Sequence, residues 1–505
     1  MVRALCTSLL AASLCAAAAA WPAAAATWPA DGASGVARDA QPYTDAAALQ
    51  LIGPLGLPVP GVLRRSRGEL RFDSAAALTP CTRYRLLAAG ATRHFTTACS
   101  SWQPPQRLDT ARHAREPAYT ARGAQVAAAD DAAWVVWSQL DHGRDAVELA
   151  RYEPDTDAWS APHPLDAGTA DAVLPTLAAG DGAVWAAWSQ AVHGRDAIDV
   201  LRIDADGGAP RRVDRGGDLR GDATDVQLGV ASGVVALAWQ QRAQGHGAIG
   251  VALRQHGRWM PARRLDRGAM GAYAPALAVA ADGTVFVAWQ QGRGAAAAID
   301  AACFTHGRWS APRRIGARGD AHAVTLAALP DGGVAAAWVR GGHLEWRRLD
   351  AALRGAAPQR LSAAPAARPA LAVDVAGNLT LVWQQGVARS RIVARRFDAA
   401  WSHWSAPRQL DAPDLRGAGS AVLGVDASGD VACAWYQDGP QGLQIEAARY
   451  DASSGRWSPA QQLSDPRSTV QAVLPALAVD AAGSVTVVWQ QFNDWRDIVM
   501  SRRLP

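Results

Sequence analysis

One short pattern recurs eight times between residues 135 and 491, and it limits the folds open to this chain. Each copy has a turn, a run of alternating apolar residues, a tryptophan and usually a glutamine, and successive tryptophans are 45 to 54 residues apart. The eight tryptophans are Trp137, Trp188, Trp239, Trp289, Trp338, Trp383, Trp435 and Trp489. A repeat of this length indicates one supersecondary unit that is stacked or arranged in a ring.

The pattern inside each unit predicts short β-strands. In the last unit, 475–479 and 484–489 alternate in polarity around a tight turn, and 497–501 forms a third apolar run. Period-two alternation over such short runs is typical of strands, and several strands in about 50 residues are typical of a β-propeller blade. The chain ends one strand short of a complete four-stranded unit.

The missing strand is predicted at the other end of the repeat region. A fourth run with the form Trp-Ser-x-Pro, or a variant of it, follows the third strand in the other units, and the same form occurs once before the first unit, at 102–108. Eight fourth runs then match eight second strands. We therefore predict an all-β fold in which residues 101–505 form a closed eight-bladed propeller and 102–108 complete the last blade, so that no edge is left open.

Tryptophan position and arginine position each allow two interpretations. Fourteen of the 21 tryptophans fall on the second and fourth strands, where packing between blades is favoured over a ring of sugar platforms. The tryptophans outside this pattern are better candidates for binding: Trp134, Trp185, Trp346, Trp401 and Trp495. Arginines concentrate on the fourth strands, either to discourage edge pairing or as a basic belt for an anionic polysaccharide.

Prolines also follow a pattern, because they open the predicted first strand in alternate units. They are Pro175, Pro275, Pro369 and Pro475. Proline is tolerated at a strand start, where no ladder hydrogen bond is lost.

The first 26 residues are predicted to be a cleaved signal peptide. Arg3 precedes an Ala/Leu-rich stretch that ends in small residues. A membrane anchor is disfavoured because Trp21 and Pro22 interrupt the stretch before it reaches the roughly 20 apolar residues that a span needs. The expected location is therefore the periplasm or the exterior, with no membrane span.

Export to an oxidising compartment would allow the cysteines to form disulfides. Residues 84–95 are predicted to form a hairpin that turns at Gly90, and Cys81 and Cys99 lie nine residues on either side of that glycine. Directly opposed positions on antiparallel strands suit a disulfide, so this pair is predicted to be bridged. Cys303 and Cys433 lie in apolar strand patterns and are predicted to be isolated buried thiols.

Two resemblances to known families accompany these patterns. Residues 27–100, with Pro29-Ala30-Asp31-Gly32-Ala33 and the runs at 69–72 and 94–97, resemble bacterial Ig-like domains, which implies a small β-sandwich spacer. The repeats, such as Pro275-Ala276-Leu277-Ala278-Val279 leading to Trp289-Gln290-Gln291, resemble the Trp-Gln-Gln repeats of exported bacterial propellers and, more distantly, the BNR and sialidase-like propellers. These likenesses imply an architecture rather than an activity.

Cofactor chemistry finds little support in the sequence. Sialidase-type Asp boxes, Ser-x-Asp-x-Gly-x-Thr-Trp, are absent. One blade, at 451–457, resembles part of the quinoprotein dehydrogenase motif, but the vicinal cysteine pair that many of those enzymes use is missing. The chain also contains no lysine, which excludes Schiff-base and P-loop chemistry. We expect no cofactor.

The turns between second and third strands carry the candidate site. In the last, first, second and third blades, which ring closure makes consecutive, these turns are rich in His, Arg and Asp. The candidate ligand-binding residues are His142, Arg144, Asp145, His193, Arg195, Asp196, His246, Trp495, Arg496 and Asp497. Three interpretations stand: a ligand-binding patch, turns in which each arginine pairs with its adjacent aspartate, and a metal site formed by His142, His193 and His246, which would require neighbouring blades to bring the three rings within the short distances of metal ligands.

The function predicted from these features is a secreted or periplasmic, non-catalytic binding or scaffold propeller. Its expected partner is a glycan or an extracellular or envelope protein, and the net charge of +4 gives no reason to expect nucleic acid. We expect a monomer. The alternative is a carbohydrate-active hydrolase or lyase with acid–base residues on one face, for which Tyr273, Tyr436 and Glu148 are available.

Overall fold

The computed structural model describes the chain over most of its length. The described residues are 27–28, 33–36, 42–44, 47–53, 57–66, 69–75, 83–88, 91–97, 102–109, 120–129, 132–141, 143–166, 170–203, 210–214, 221–243, 245–267, 270–387, 389–465, 471–480, 483–493 and 496–504. They form antiparallel sheets of four or five strands, with one short 3-10 helix at Gly294–Ala296 and a single parallel strand pair near the amino end. The all-β class predicted from the sequence is confirmed. The predicted signal peptide lies outside the described residues.

Two four-stranded sheets lie before residue 100. The first contains Thr27–Trp28, Tyr43–Thr44, Glu69–Ser74 and Gly61–Ser66, and the second contains Ala33–Val36, Ala91–Thr97, Arg83–Ala88 and Leu49–Ile52. Leu51, Phe72, Leu86 and Phe95 come from both sheets and share one buried core. Two sheets around one core are what the sequence predicts for this region, and the Ig-like relationship stays a prediction.

The hairpin predicted around Gly90 is present, with a slightly different centre. Tyr84 pairs with Phe95 and their rings stack at 5.7 Å, so the turn is centred between residues 89 and 90. Direct opposition of Cys81 and Cys99 would need a centre at Gly90. Both cysteines lie outside the described residues, and their disulfide stays a prediction. Cys303 and Cys433 are buried free thiols, as predicted.

In the described part of the repeat region, eight sheets follow one another along the chain, and we number them 1 to 8. Sheet 1 contains Ala121–Ala129, Ala132–Asp141, Arg144–Glu153, Ala158–Trp159 and His163–Pro164; sheet 2 contains Ala172–Gly180, Ala183–Val192, Arg195–Ile203 and Arg211–Arg212; sheet 3 contains Ala223–Ala231, Val234–Ala243, His246–Gln255, Arg258–Trp259 and Arg263–Arg264; sheet 4 contains Ala272–Val279, Val285–Gln291, Ala298–Thr305, Arg308–Trp309 and Arg313–Gly316.

The other four sheets have the same order. Sheet 5 contains Ala321–Ala328, Val334–Arg340, His343–Leu349 and Gln359–Arg360; sheet 6 contains Ala366–Val373, Leu379–Gln385, Arg391–Asp398, His403–Trp404 and Arg408–Gln409; sheet 7 contains Arg416–Val425, Val431–Gly439, Gly442–Asp451, Arg456–Trp457 and Gln461–Gln462; sheet 8 contains Gln471–Val479, Val485–Asn493, Arg496–Leu504 and, from before the first repeat, Gln106–Arg107.

Sheets 8 and 1 are joined by the same kinds of contact that join other neighbours. The first strand of each sheet contacts the first strand of the next, and that of sheet 8 contacts that of sheet 1. Leu108, Val488 and Trp137 belong to one core that both sheets share. The Arg503 guanidinium lies 3.9 Å from the centre of the Tyr152 ring across this junction, much as Arg396 lies 4.2 Å from the Tyr450 ring between sheets 6 and 7.

The repeated tryptophans are structural, as the sequence predicts. All eight on the second strands are fully buried. In seven of them the indole Nε1–H donates to the Oε1 of the glutamine two residues later, over 2.8 to 3.3 Å. Trp338 has no such glutamine and donates to Glu345 Oε2 over 3.1 Å instead. The glutamine is therefore present because a buried indole N–H needs an acceptor.

Replacing Gln241 by leucine tests this role. Gln241 is fully buried; its Oε1 accepts from Trp239 over 2.8 Å and its Nε2 donates to the Gly221 carbonyl over 3.0 Å. Gln241→Leu leaves the buried Trp239 N–H without an acceptor and removes one of the two donors to the Gly221 carbonyl, so the free energy of unfolding should fall by about 1–3 kcal/mol. The matched change Gln240→Leu, at the more exposed neighbour, should cost less than about 1 kcal/mol in the same denaturant titration. Equal losses would contradict the acceptor role.

The predicted fourth strands are real but interrupted. In sheet 1 the strand is split into two short pieces at Ser160, whose N–H donates to the Arg151 carbonyl over 2.7 Å while its Oγ accepts from the Arg151 N–H over 2.9 Å. Ser310, Ser405 and Ser458 repeat this exchange. In each case the serine hydroxyl accepts the backbone N–H that a carbonyl group would accept in an uninterrupted strand.

The interpretation of the prolines is wrong in one respect. The first strands begin before Pro175, Pro275, Pro369 and Pro475, and each proline lies within a β-bulge. Each first strand has a residue with a left-handed backbone, with φ between 48° and 66°: Gly123, Leu174, Asp225, Ala274, Ala323, Arg368, Ser420 and Leu474; the first strand of sheet 7 has a second one, Gly417. Proline is accommodated because a bulge already interrupts the ladder.

Arginines on the outer strands neutralise carboxylates of their own sheet. Arg212 pairs with Asp199 over 2.9 Å and Arg264 pairs with Asp266 over 2.7 Å. Their neighbours Arg211 and Arg263 are exposed. Some of the arginines on the outer strands are therefore held in ion pairs. Neither interpretation of the sequence, protection of the edge or a basic belt, included this pairing.

Candidate functional site

The strands of sheets 1 to 8 end on two faces, which we call upper and lower. Because successive strands are antiparallel, the upper face carries the end of each second strand, the start of each third strand and the start of the first strand of the following sheet. On the lower face first strands turn into second strands, as at 374–378. The site residues predicted from the sequence belong to the upper face of sheets 8, 1, 2 and 3.

Two of the predicted arginines are held by buried carboxylates rather than by their adjacent aspartates. Arg144 Nη1 lies 2.6 Å from Asp166 Oδ2, and Arg195 Nη1 lies 2.6 Å from Asp214 Oδ2. Both carboxylate side chains are fully buried. The expectation that each arginine pairs with its adjacent aspartate is wrong for these two residues. The aspartate that follows the outermost strand lies beside the start of the third strand, where the arginine is. In sheet 1 this aspartate is Asp166, which also accepts the Val147 N–H over 2.9 Å.

The predicted aspartates form a separate acidic group. Asp145 accepts from Arg122 over 2.6 Å, and its backbone N–H donates to Asp171 over 2.9 Å. Burial raises the pKa of Asp196, and the nearby charges of Asp222 and Asp171 raise it further. No cluster of His, Cys, Asp and Glu suited to a metal ion occurs among the residues that the structure describes.

The remaining predicted residues are less constrained. His193 and His246 are exposed in their turns, and His193 has a left-handed backbone with φ of 48°. Arg496 and Asp497 begin the third strand of sheet 8 and are half-buried. His142 and Trp495 lie outside the described residues. The binding role of these residues stays a prediction.

Two adjoining cavities open on the upper face next to this sector, at sheets 3, 4 and 5. One has a volume of about 320 Å³ and the other about 450 Å³. They share Gln240, Tyr273 and Arg293. We call the pair the upper cavity; its other polar lining residues are Asp222, Thr224, Gln241, Arg242, Gln290, Asp320 and His322.

Tyr273 is the organising side chain of the upper cavity. The Arg293 guanidinium lies 4.2 Å from the centre of its ring, a cation–π distance. Gly247 and Gly271 make room for the ring, since a Cβ at Gly247 would lie 2.7 Å from its Cε1 and a Cβ at Gly271 would lie 2.2 Å from its hydroxyl oxygen. Larger residues at these two positions would push the tyrosine out of place.

The amides beside Tyr273 are oriented by the backbone. Gln240 Oε1 accepts the Ala274 N–H over 3.3 Å, and Gln290 Nε2 donates to the Gly292 carbonyl over 2.9 Å. Each amide therefore keeps its other end for a ligand. Arg242 and Arg293 are exposed and make no ion pair with any described residue.

The upper cavity can therefore recognise a ligand that carries both hydroxyl groups and a negative charge. The guanidinium groups of Arg242 and Arg293 suit a carboxylate or sulfate. The carboxylates of Asp222 and Asp320 can accept from hydroxyl groups. The sequence identified Tyr273 only as an isolated acid–base candidate.

Comparison with known proteins gives no family for this chain. No family model matches it, and no curated protein matches it. Among solved structures, a puromycin-hydrolysing peptidase of Mycobacterium tuberculosis is similar with a TM-score of 0.45 and 16% identity, over 77% of this chain and 61% of that one. A polysaccharide lyase, PL25 ulvan lyase, is similar with a TM-score of 0.44 and 10% identity, over 76% of this chain and 93% of that one.

The NanB sialidase of Streptococcus pneumoniae covers more of the chain but matches it less well. Its TM-score is 0.34 and its identity 10%, over 94% of this chain and 91% of that one. These similarities are too distant to indicate an activity. Within the described residues, no helix is long and apolar enough to cross a membrane.

Proposed function

We propose that this chain is an exported eight-bladed β-propeller, preceded by an Ig-like spacer, that binds an acidic saccharide in its upper cavity without chemically changing it. The architecture is supported by the junction between sheets 8 and 1, where strand contacts, a common core and the Arg503–Tyr152 stack repeat what is found between other neighbours. Export is supported only by the sequence of the first 26 residues.

One observation carries the ligand class: two exposed guanidinium groups that form no ion pair with any described residue line a concave site that also holds a fixed tyrosine ring. Among the described residues of sheets 1 to 8, the arginines that form ion pairs do so with carboxylates of their own sheet, as Arg144 and Arg195 do. Arg242 and Arg293 are instead available in a cavity rich in hydrogen-bonding groups. A carboxylated saccharide uses each of these features, since its ring can pack on an aromatic face while its acid group is held by arginine.

The catalytic alternative has one observation in its favour. Tyr273 and His322 line the same part of the upper cavity, and both side chains can transfer protons. Glu148, which the sequence also offered, is buried opposite Trp137 in sheet 1 and does not line this cavity. Chain cleavage by β-elimination or hydrolysis is therefore a defined outcome of the test below.

The test is calorimetric titration with oligogalacturonate and with a neutral maltooligosaccharide of equal length. The purified protein should bind the acidic probe more tightly, and Arg293→Gln should weaken that binding about 10- to 100-fold, the loss expected for one charge-assisted contact. Arg211→Gln, which removes an exposed arginine on an outer strand, is the matched control and should bind normally. Equal binding by both variants would refute the proposed site.

The same samples decide between binding and catalysis. Incubated oligogalacturonate should keep its length in chromatography and should acquire no ultraviolet absorbance from unsaturated uronate ends. Shortened products that disappear in Tyr273→Phe would establish the catalytic alternative instead.

A further inference from the structure

A second cavity opens on the lower face, between sheets 6 and 7, far from the residues used above along the chain. Its volume is about 370 Å³. Its lining residues are Asp374, Val375, Ala376, Asn378, Arg396, Phe397, Asp398, His403, Ser405, Ser428, Gly429, Tyr450 and Ala452. Nothing in the proposed function uses this cavity.

The floor of this lower cavity is rigid. The Arg396 guanidinium donates to Thr380 over 2.8 Å and to Asp374 over 3.2 Å, and it lies 4.2 Å from the centre of the Tyr450 ring. Asn378 is fixed as well, since its Nδ2 donates to Asp374 over 2.9 Å. The charge of Arg396 is therefore neutralised by Asp374 within the protein, and it does not remain for an anionic ligand.

An exposed tryptophan lies in a turn that joins two lining residues of the cavity, and it is not itself one of the lining residues. Trp401 is 78% exposed, in the turn whose residues Asp398 and His403 line the cavity. Its backbone N–H donates to Asp398 Oδ1 over 3.0 Å, which fixes the turn. Every other tryptophan whose side chain the structure describes is buried or half-buried.

The turn does not need this side chain. In sheets 3 and 4 the same connection is made by His256–Gly257 and His306–Gly307, and in sheet 7 by a longer turn at 451–456 without an aromatic residue. A side chain that is 78% exposed contributes little to folding, so this indole is accessible to a ligand of the neighbouring cavity. Val375, another lining residue, is 73% exposed and adds to the apolar rim.

We propose that the lower cavity is a separate site for a neutral saccharide, whose ring packs on Trp401 while its hydroxyl groups meet Asp398, His403 and Tyr450. The choice of a neutral sugar follows from the internal pairing of Arg396 with Asp374, in contrast to the free arginines of the upper cavity. Polar groups that can both donate and accept suit hydroxyl groups. A protein with sites on both faces can bridge two polysaccharides.

The experiment titrates the whole protein with neutral tetrasaccharides of glucose, xylose and N-acetylglucosamine, followed by tryptophan fluorescence and calorimetry. At least one probe should bind, Trp401→Ala should weaken it at least 10-fold, and Trp401→Phe should retain part of the affinity. The melting temperature should be unchanged, because the side chain is 78% exposed. Val387→Ala, at a residue 84% exposed on the other face, is the control and should bind normally.

Failure of this proposal is separable from failure of the proposed function. Arg293→Gln should leave neutral-sugar binding unchanged, and Trp401→Ala should leave oligogalacturonate binding unchanged. Absence of binding to every neutral probe, or binding that Trp401→Ala does not alter, would overturn the lower site whatever the upper cavity does.

Discussion

A chain that begins at residue 110 should lose its cooperative unfolding transition or unfold with at least about 5 kcal/mol less free energy than a chain that begins at residue 102. The missing segment supplies Gln106–Arg107, the outer strand of sheet 8, which pairs with Met500 and Ser501. Leu108 leaves the core that sheets 8 and 1 share, where it is 2% exposed. A leucine lost from such a core costs about 2–5 kcal/mol by itself.

Hydrogen bonds at this junction add to the loss. Asp109 Oδ1 accepts the Val499 N–H over 2.9 Å, and the Gln103 N–H donates to the Arg503 carbonyl over 2.9 Å. Each buried partner left without its hydrogen bond costs about 1–3 kcal/mol. The freed edge of the third strand would also be open to pairing with other chains, so aggregation should rise.

Differential scanning calorimetry and denaturant titration of the two chains are the measurement. The chain from residue 102 is the control, because it also lacks the amino-terminal sheets but keeps the closing strand. Indistinguishable unfolding of the two chains would show that the ring does not depend on this strand, and the closed eight-bladed arrangement would have to be abandoned.

The second large effect is a pH dependence centred on Glu446. This carboxyl is 4% exposed in the third strand of sheet 7, and burial raises its pKa to about 7, although a hydrogen bond from Gln444 opposes the rise. Asp199 and Asp300, at the corresponding position of other sheets, are paired with an outer-strand arginine. Sheet 7 has Gln462 opposite Glu446 instead, and no described arginine forms an ion pair with this carboxylate.

The direction of this pH dependence follows from the pKa of Glu446 in the folded chain and in the unfolded chain. Between pH 4.5 and about 7 the folded chain holds a proton on Glu446 that the unfolded chain has lost, so stability falls as pH rises through this window. The full change is on the order of 3 kcal/mol. Glu446→Gln should therefore be about as stable as the natural chain near pH 4.5 and roughly 3 kcal/mol more stable at pH 8.

Glu345→Gln is the matched opposite case. Glu345 also lies beside the buried tryptophan of its sheet, but it is bonded to Arg340 and accepts from Trp338. Its replacement should lower the free energy of unfolding at pH 8, because the ion pair with Arg340 is lost and the amide offers one acceptor oxygen where the carboxylate offers two. Urea titrations of the three proteins at pH 4.5 and pH 8 would measure both effects, and a pH-independent gain for Glu446→Gln would refute the assignment.

Strand content and the function of the tryptophans were readable from the sequence because both depend on local periodicity. Alternation of apolar residues sets which side chains face the neighbouring sheets, and a residue as large as tryptophan at a fixed position has few places to go except that interface. The count of fourth runs likewise located the strand that pairs with sheet 8, because every unit needs the same complement of strands.

Features that depend on pairs of distant residues were not readable. The partner of Arg144 is Asp166 rather than Asp145, because nearness in the sheet differs from nearness in the chain. The bulge at Pro475 likewise depends on the register between two strands. Sequence patterns report the period of one strand and say nothing about how it is offset from its neighbour.

Binding surfaces were the least accessible to the sequence. The turns rich in His and Arg directed attention to sheets 8, 1, 2 and 3, whereas the cavity lined by Arg242 and Arg293, which pair with no described carboxylate, lies at sheets 3, 4 and 5. By itself the sequence determined the repeat, the strands and the buried tryptophans, since these follow from periodicity along one chain. Only the tertiary structure decided which charges neutralise one another and which, like Arg293 beside Tyr273, remain open to a ligand, because charge pairing depends on distances in space.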